Sequence, residues 1–143
     1  MIVLDSSVIV DAFIIPRRKK RDELLEKQVK RHKKAKKLIE LMISSKYPSY
    51  IPRVALIEIT AILKRKLNFI PDEILNFISE QFEILKEEDI WSIARKIAEL
   101  TGCRAIDSYY IATAKKTNST LITADRIMAE NAKLVNISTV LMK

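Results

Sequence analysis

Cys103-Arg104-Ala105-Ile106-Asp107-Ser108-Tyr109-Tyr110-Ile111-Ala112-Thr113-Ala114, then a polar link, then Thr120-Leu121-Ile122-Thr123-Ala124-Asp125-Arg126-Ile127-Met128: this stretch decides the fold. The first part reads as an apolar helix over 105–117 with an acid in its opening turn. The second reads as a short strand over 120–123 running straight into another helix, with an acid at the junction. Each acid has an ordinary explanation as a helix-start residue, worth about 1 kcal/mol as a cap. An acid in the first turn also meets the positive end of the helix dipole. What gives the pair chemical interest lies far upstream, at Asp5 and Glu58.

The chain opens on Ile2-Val3-Leu4, a β-type run suited to a sheet interior, which delivers Asp5 at its carboxyl end. Ser6 and Ser7 follow, and a short apolar helix is expected over 8–15, stopped at Pro16. Asp5 has its own ordinary reading, an N-cap. Open parallel sheets, however, receive ligands beyond the carboxyl ends of their strands, and both Asp5 and Asp125 have that address. Glu58 sits in a helix expected over 53–66, among Val54, Ala55, Ala61 and Ile62, none of which can pair with it. It either faces water or, if buried without a partner, costs several kcal/mol until something neutralises it.

The remaining pattern alternates short strands and helices. A strand ends at Tyr50-Ile51-Pro52. Pro71-Asp72-Glu73 starts a helix over 74–81, and a strand follows at 82–85. An amphipathic helix over 89–100 ends at Gly102, with Trp91 read as packing. Tyr109 and Tyr110 are expected to be partly core. A last strand falls within 134–142. Such alternation predicts an α/β sandwich, with a central, mainly parallel sheet flanked by helices, in one domain spanning 1–143.

Composition narrows the chemistry. The 143 residues include one glycine, one cysteine and one histidine. A phosphate-cradling or dinucleotide-binding turn needs several glycines. A lone Cys103 excludes internal disulfides and cysteine-based zinc sites. His32 alone cannot supply a histidine-rich metal site, and it is read as a packing or phosphate-contacting residue. Chemistry here falls to carboxylates. No apolar run reaches the ~18 residues of a membrane span and the start lacks signal-peptide character, so a soluble, cytoplasmic protein without membrane contact is expected.

The formal charge of +8 is localised. Residues 17–37 hold twelve Lys or Arg and three acids, a net +9, so everything else sums to about −1. A long helix is expected over 21–44, part of a basic helical segment at 17–45. Its inward side carries Leu25, Val29, His32, Lys36, Ile39 and Ile43, with Leu24, Gln28, Ala35, Leu38 and Met42 alongside. Its outer face is lysine-rich. Such patches commonly meet phosphates, and Lys30, Lys33, Lys34 and Lys37 are the candidate phosphate contacts.

If Asp5 and Asp125 end neighbouring strands, the four acids converge. Two carboxylates ~5 Å apart, at an effective dielectric of about 20, repel by roughly 3 kcal/mol. Four such groups stay ionised together only around a cation, or with raised pKa values. An all-oxygen donor set suits Mg²⁺ or Mn²⁺. Ser6 and Thr123 would orient the acids as hydroxyl donors. The competing reading for Asp107 is a surface ion pair with Arg104, three residues earlier.

With these motifs in order, the chain resembles the PIN-domain family and, in size and layout, the VapC-type toxin ribonucleases. The matching residues are Ile2-Val3-Leu4-Asp5-Ser6-Ser7, Glu58 within Val54-Ala55-Leu56-Ile57-Glu58-Ile59-Thr60, Ala105 to Ala114 around Asp107, and Thr123-Ala124-Asp125-Arg126. The resemblance implies a PIN-like three-layer sandwich and metal-dependent RNA cleavage, with Asp5, Asp107, Asp125 and Glu58 as both metal-holding and catalytic residues. It also implies a homodimer and, for the toxin branch, a small antitoxin encoded alongside. The basic helix departs from the pattern. Three rival readings remain: a non-catalytic RNA-binding or RNA-processing PIN module, a regulatory partner protein, and an aspartate phosphohydrolase. Ser7 counts against the last, which wants a second acid two residues after Asp5.

Overall fold

A computed structural model describes residues 1–16 and 22–143. In chain order its elements are β1 (Ile2–Leu4), α1 (Ser6–Phe13), α2 (Glu23–Ser45), β2 (Ser49–Pro52), α3 (Val54–Leu67) and α4 (Asp72–Gln81). Then come β3 (Glu83–Leu85), α5 (Glu87–Thr101), α6 (Ala105–Thr117), β4 (Thr120–Thr123), α7 (Arg126–Leu134) and β5 (Thr139–Leu141). The five strands form one wholly parallel sheet in the order β3-β2-β1-β4-β5. Helices cover the sheet, giving the three-layer α/β sandwich expected from the alternation.

Parallel strands are buried on both faces, and the sequence supplies β-branched and leucine residues for this. Val3, Leu4, Ile51 and Leu121 are fully buried. The connections from β1 to β2 to β3 step toward one edge, whereas β4 to β5 steps toward the other. Right-handed crossovers then put the helices of the two halves on opposite faces. The step between β1 and β4, where the order reverses, is the point at which such sheets open a crevice. The register pairs Leu4 with Ile122 there, so Asp5 and Asp125 both leave the sheet at the same crevice. From the helices, Ile59 and Leu63 of α3, Ile90 and Ile97 of α5, and Tyr110 and Ile111 of α6 join one continuous core. Helix α6 packs across β2, β1 and β4.

Helix ends account for the economy in glycine. The C-caps Lys46, Asn68, Gly102 and Asn118 all adopt left-handed backbone, with φ of 50°, 62°, 69° and 51°. Asparagine, which tolerates this region better than most residues, fills two of the four.

Three expectations need correction. Helix α1 starts at Ser6 and ends at Phe13, because Asp5 takes the N-cap and the backbone is already extended at Ile14, two residues before Pro16. On α2 the buried line is Ala35, Ile39 and Met42, while Leu24 and Ile43 face outward and Lys36 is exposed. That helix packs chiefly on the narrow α1, which covers only one stripe. Trp91 is 54% exposed, since Ile90, Ala94 and Ile97 form the inward stripe of α5. The Arg95 guanidinium lies 5.9 Å from its ring centre. Residues 17–21 of the basic segment lie outside the described residues. His32 is half-buried, and its Nδ1–H donates to the Asp11 carbonyl at 2.6 Å.

Candidate carboxylate site

Asp5 follows β1 directly and is almost fully buried. Its Oδ2 accepts from Ser7 Oγ at 2.8 Å and from Thr123 Oγ1 at 2.8 Å, and its Oδ1 faces Ser6 Oγ at 3.3 Å. Asp5 thus occupies the N-cap position of α1 without capping it through its side chain. The carboxylate bonds hydroxyls of Ser6, Ser7 and Thr123 in place of the helix amides.

Thr123, the last residue of β4, is wholly buried. The same hydroxyl that donates to Asp5 accepts from the Asp125 backbone N–H at 2.9 Å. One side chain therefore sets the position of two acids. Asp125 fulfils its ordinary role as well: Oδ1 accepts from the Ile127 and Met128 amides at 2.9 and 3.2 Å, capping α7. Its other oxygen, Oδ2, takes no part in the cap and accepts instead from Arg104.

Asp107 comes from the first turn of α6, with a side chain showing no exposure at all. Arg104 forks onto it, Nε to Oδ2 and Nη2 to Oδ1, each at 3.2 Å. The same Nη2 reaches Asp125 Oδ2, also at 3.2 Å. Burial pushes the Asp107 carboxyl above its ordinary range. Arg104 pulls it back only in part, and the charges of Asp125 and Asp5 add to the rise. The Arg104 guanidinium is correspondingly held more firmly charged.

Glu58 projects from α3 and is half-buried. Its own helix offers no partner, as expected, but other elements do. Tyr110 donates its phenolic O–H to Glu58 Oε1 at 2.9 Å, and Ser6 Oγ lies against the same oxygen. The Tyr110 oxygen in turn accepts from the Ser6 backbone N–H at 3.2 Å. The expectation of an unpartnered carboxylate is thus corrected. Burial, with the charges of Asp5 and Glu58 behind it, drives the Tyr110 hydroxyl well above its ordinary pKa, so it stays a proton donor.

The four acids are therefore joined by bridges: Ser6 between Asp5 and Glu58, Thr123 between Asp5 and Asp125, and Arg104 between Asp107 and Asp125. Among the described residues no three His, Cys, Asp or Glu side chains stand together as a ready metal cage. The donor chemistry nonetheless suits a hard divalent ion, being all oxygen. The Arg104 guanidinium is already a stand-in cation between two of the donors. Lys30, Lys33, Lys34 and Lys37 form no part of this group. They lie exposed on α2, where Lys34 Nζ donates to the Lys143 carbonyl at 3.3 Å.

Sequence reasoning left three contributors unassigned. Ser7 was only a helix-start hydroxyl. Tyr110 was only core, although its place three residues after Asp107 puts both on one helix face. Arg104 was only a local ion pair.

A family model for the PIN domain matches residues 2–134. No curated protein matches the chain significantly. Among solved structures, one of FitAB bound to an IR36 DNA fragment is 18% identical, with a TM-score of 0.63, over 99% of this chain and 94% of that one. Another, FitAcB from Neisseria gonorrhoeae, is 21% identical, with a TM-score of 0.57, over 97% and 96% of the two chains. At these identities the likeness concerns the fold.

Proposed function

The chain belongs to the PIN-domain family, and from that premise we propose that it is a divalent-metal-dependent endoribonuclease, the toxin of a toxin–antitoxin pair acting in the cytoplasm. The observation that carries the reading is that Asp107 and Asp125, one buried and one half-buried, share a single cationic group at the sheet's crevice. An acid pair that needs a cation is what phosphodiester chemistry with Mg²⁺ or Mn²⁺ uses.

Asp5, Asp107 and Asp125 would hold the ion and Glu58 would complete the site. When bound, such an ion lowers the pKa of a water and stabilises charge developing on the phosphate. The chain's own residues do the positioning. Ser6, Ser7 and Thr123 orient the acids through hydroxyl bonds. Tyr110 fixes Glu58 by donating to it. Water is the nucleophile. The acidic crevice alone repels a polyanion, so Lys30, Lys33, Lys34 and Lys37 on α2 draw the RNA in. The partners in this reading are RNA, a second copy of the chain, and a small antitoxin protein. No helix of the described residues is long and apolar enough to cross a membrane.

The test is cleavage of single-stranded RNA by purified protein, with and without chelator. DNA serves as the comparison substrate, since FitAB was solved on DNA. Chelator-sensitive cleavage of RNA supports the reading. One observation favours a second reading, a non-catalytic RNA-binding or RNA-processing module: Arg104 already occupies two of the acids. RNA binding without cleavage, unaffected by chelator, would select it. Light scattering of the purified chain tests the homodimer.

A further inference from the structure

We propose that Arg104 is a built-in competitor of the divalent ion: its guanidinium is the resting counter-ion of Asp107 and Asp125, and the ion binds by displacing it. This rests on the carboxylate reading of the site given above.

The geometry sets the two cations in competition for the same oxygens. Arg104 takes both oxygens of Asp107 in a fork and holds the outward oxygen of Asp125 with the same Nη2, three contacts at 3.2 Å. Asp125 Oδ1 is committed to the amides at the start of α7. Among the described residues Arg104 is the only side chain hydrogen-bonded to the Asp107 carboxylate. An ion held by Asp107 and by Oδ2 of Asp125 would therefore compete for the very oxygens that Arg104 holds. A guanidinium left in place would also repel the ion.

Displacement is cheap for the arginine. Its side chain is 70% exposed, against none for Asp107. It sits one residue ahead of α6, at the N-cap position, with extended backbone (φ −65°, ψ 153°) and no side-chain capping bond. Swinging out returns to water a guanidinium that is already mostly in it, while the incoming ion takes over as the counter-charge of the buried Asp107. The guanidinium cannot be discharged by pH, being protonated throughout the accessible range. The competition is consequently decided by ion concentration and by what else binds the arginine.

A lysine would compete less well. It offers one point charge in place of a planar fork and cannot span both oxygens of Asp107 while reaching Asp125.

The test is calorimetric titration of Mn²⁺ into the full chain and three variants, together with NMR of the Arg104 Nε–H as Mg²⁺ is added. Arg104→Gln is expected to bind Mn²⁺ at least about tenfold more tightly than the parent, with Arg104→Lys in between. In the parent, the Arg104 Nε–H is expected to be slow to exchange without metal and fast once Mg²⁺ saturates. Mn²⁺ affinity in Arg104→Gln that is equal to or weaker than the parent's overturns the proposal, as does an Nε–H that stays protected at Mg²⁺ saturation. The NMR readout on the parent decides the matter if Arg104→Gln does not fold. Asp125→Asn separates the two levels of argument. Weakened Mn²⁺ binding there, with no gain in Arg104→Gln, sinks the competitor and keeps the carboxylate site. Absence of Mn²⁺ binding in every protein sinks both.

Discussion

Thr123 Oγ1 donates to Asp5 Oδ2 at 2.8 Å, tying the end of β4 to the end of β1 through residues 118 positions apart. Both groups are buried, and the same hydroxyl accepts from the Asp125 amide. Thr123→Val keeps the shape and removes all of this. It is expected to destabilise the protein by about 1–3 kcal/mol in urea unfolding, the cost of leaving buried polar groups unmet. Thr123→Ser should recover most of the loss. A Val variant within a few tenths of a kcal/mol of the parent would show that water supplies the bonds instead.

Metal should act on stability through mass action, since the unfolded chain has no such site. Mg²⁺ or Mn²⁺ is expected to raise the melting temperature, and Asp107→Asn to remove most of that increment. Without metal, Asp107→Asn should be at least as stable as the parent, because burial already disfavours the ionised carboxyl. An undiminished metal response in the variant would place the ion elsewhere.

Asp5→Asn and Asp125→Asn should each lower RNA cleavage by orders of magnitude while leaving RNA binding nearly intact, the pattern of groups that act in the chemical step. Glu58→Gln is expected to impair cleavage as well. Parent-level activity in either Asn variant would move the chemistry away from the crevice.

For the basic helix the readout is salt. Each phosphate contact on a single strand contributes a slope of about −0.7 to the log–log plot of affinity against salt. Replacing Lys30, Lys33, Lys34 and Lys37 together by Gln should flatten the plot by roughly one to three units, with Mn²⁺ affinity unchanged. The experiment uses a cleavage-dead variant titrated with single-stranded RNA. Superimposable slopes would return the helix to being a solvated surface.

Asp11 gives a pH prediction independent of the site. Burial raises its carboxyl above the ordinary value. Arg31, with Nε 2.7 Å from Oδ2, works in the opposite direction, as do the charges of Lys66 and His32. A carboxyl whose pKa is higher folded than unfolded binds protons preferentially in the folded state. Its contribution is full below the unfolded value near ~3.9 and is lost as pH rises through the folded one. Asp11→Asn should therefore be least favourable, relative to the parent, at the acid end of a melting-temperature series. The difference should shift in the variant's favour as pH climbs through the acid range. A pH-independent difference would show that Asp11 titrates alike in both states.

How much of this could be read from the chain varies with the range of the interaction. The strands announce themselves locally: Ile2-Val3-Leu4 and Leu121-Ile122-Thr123 are short β-type runs, each followed by an acid. Their adjacency entered only as a condition, and it is the structure that pairs β1 with β4. The helix over 105–117 was legible to the residue. Contacts that depend on how helices rotate were not. Tyr110 looks like core and is core, but its hydroxyl finds Glu58 52 positions away. Arg104 pairs with Asp107 by simple helical spacing, whereas its reach to Asp125 exists only once α6 and β4 are placed. Trp91 and the α2 stripe were misread for a related reason. Periodicity says which residues could face inward, and the width of the neighbouring element decides which of them do.

The central position of β1 has a consequence for the life of the chain during synthesis. Its first strand pairs on one side with residues 49–50 and on the other with residues 120–122. Emerging from the ribosome, β1 can pair with β2 early but must wait until residues 120–122 have emerged before β4 arrives, and loop closure over such a span is slow to nucleate. Until then Asp5 lacks the Thr123 hydroxyl, and Asp107 lacks Asp125 as the other end of its arginine bridge. A chain nascent or truncated ahead of β4 is thus without the bridges that join Asp125 to the other acids.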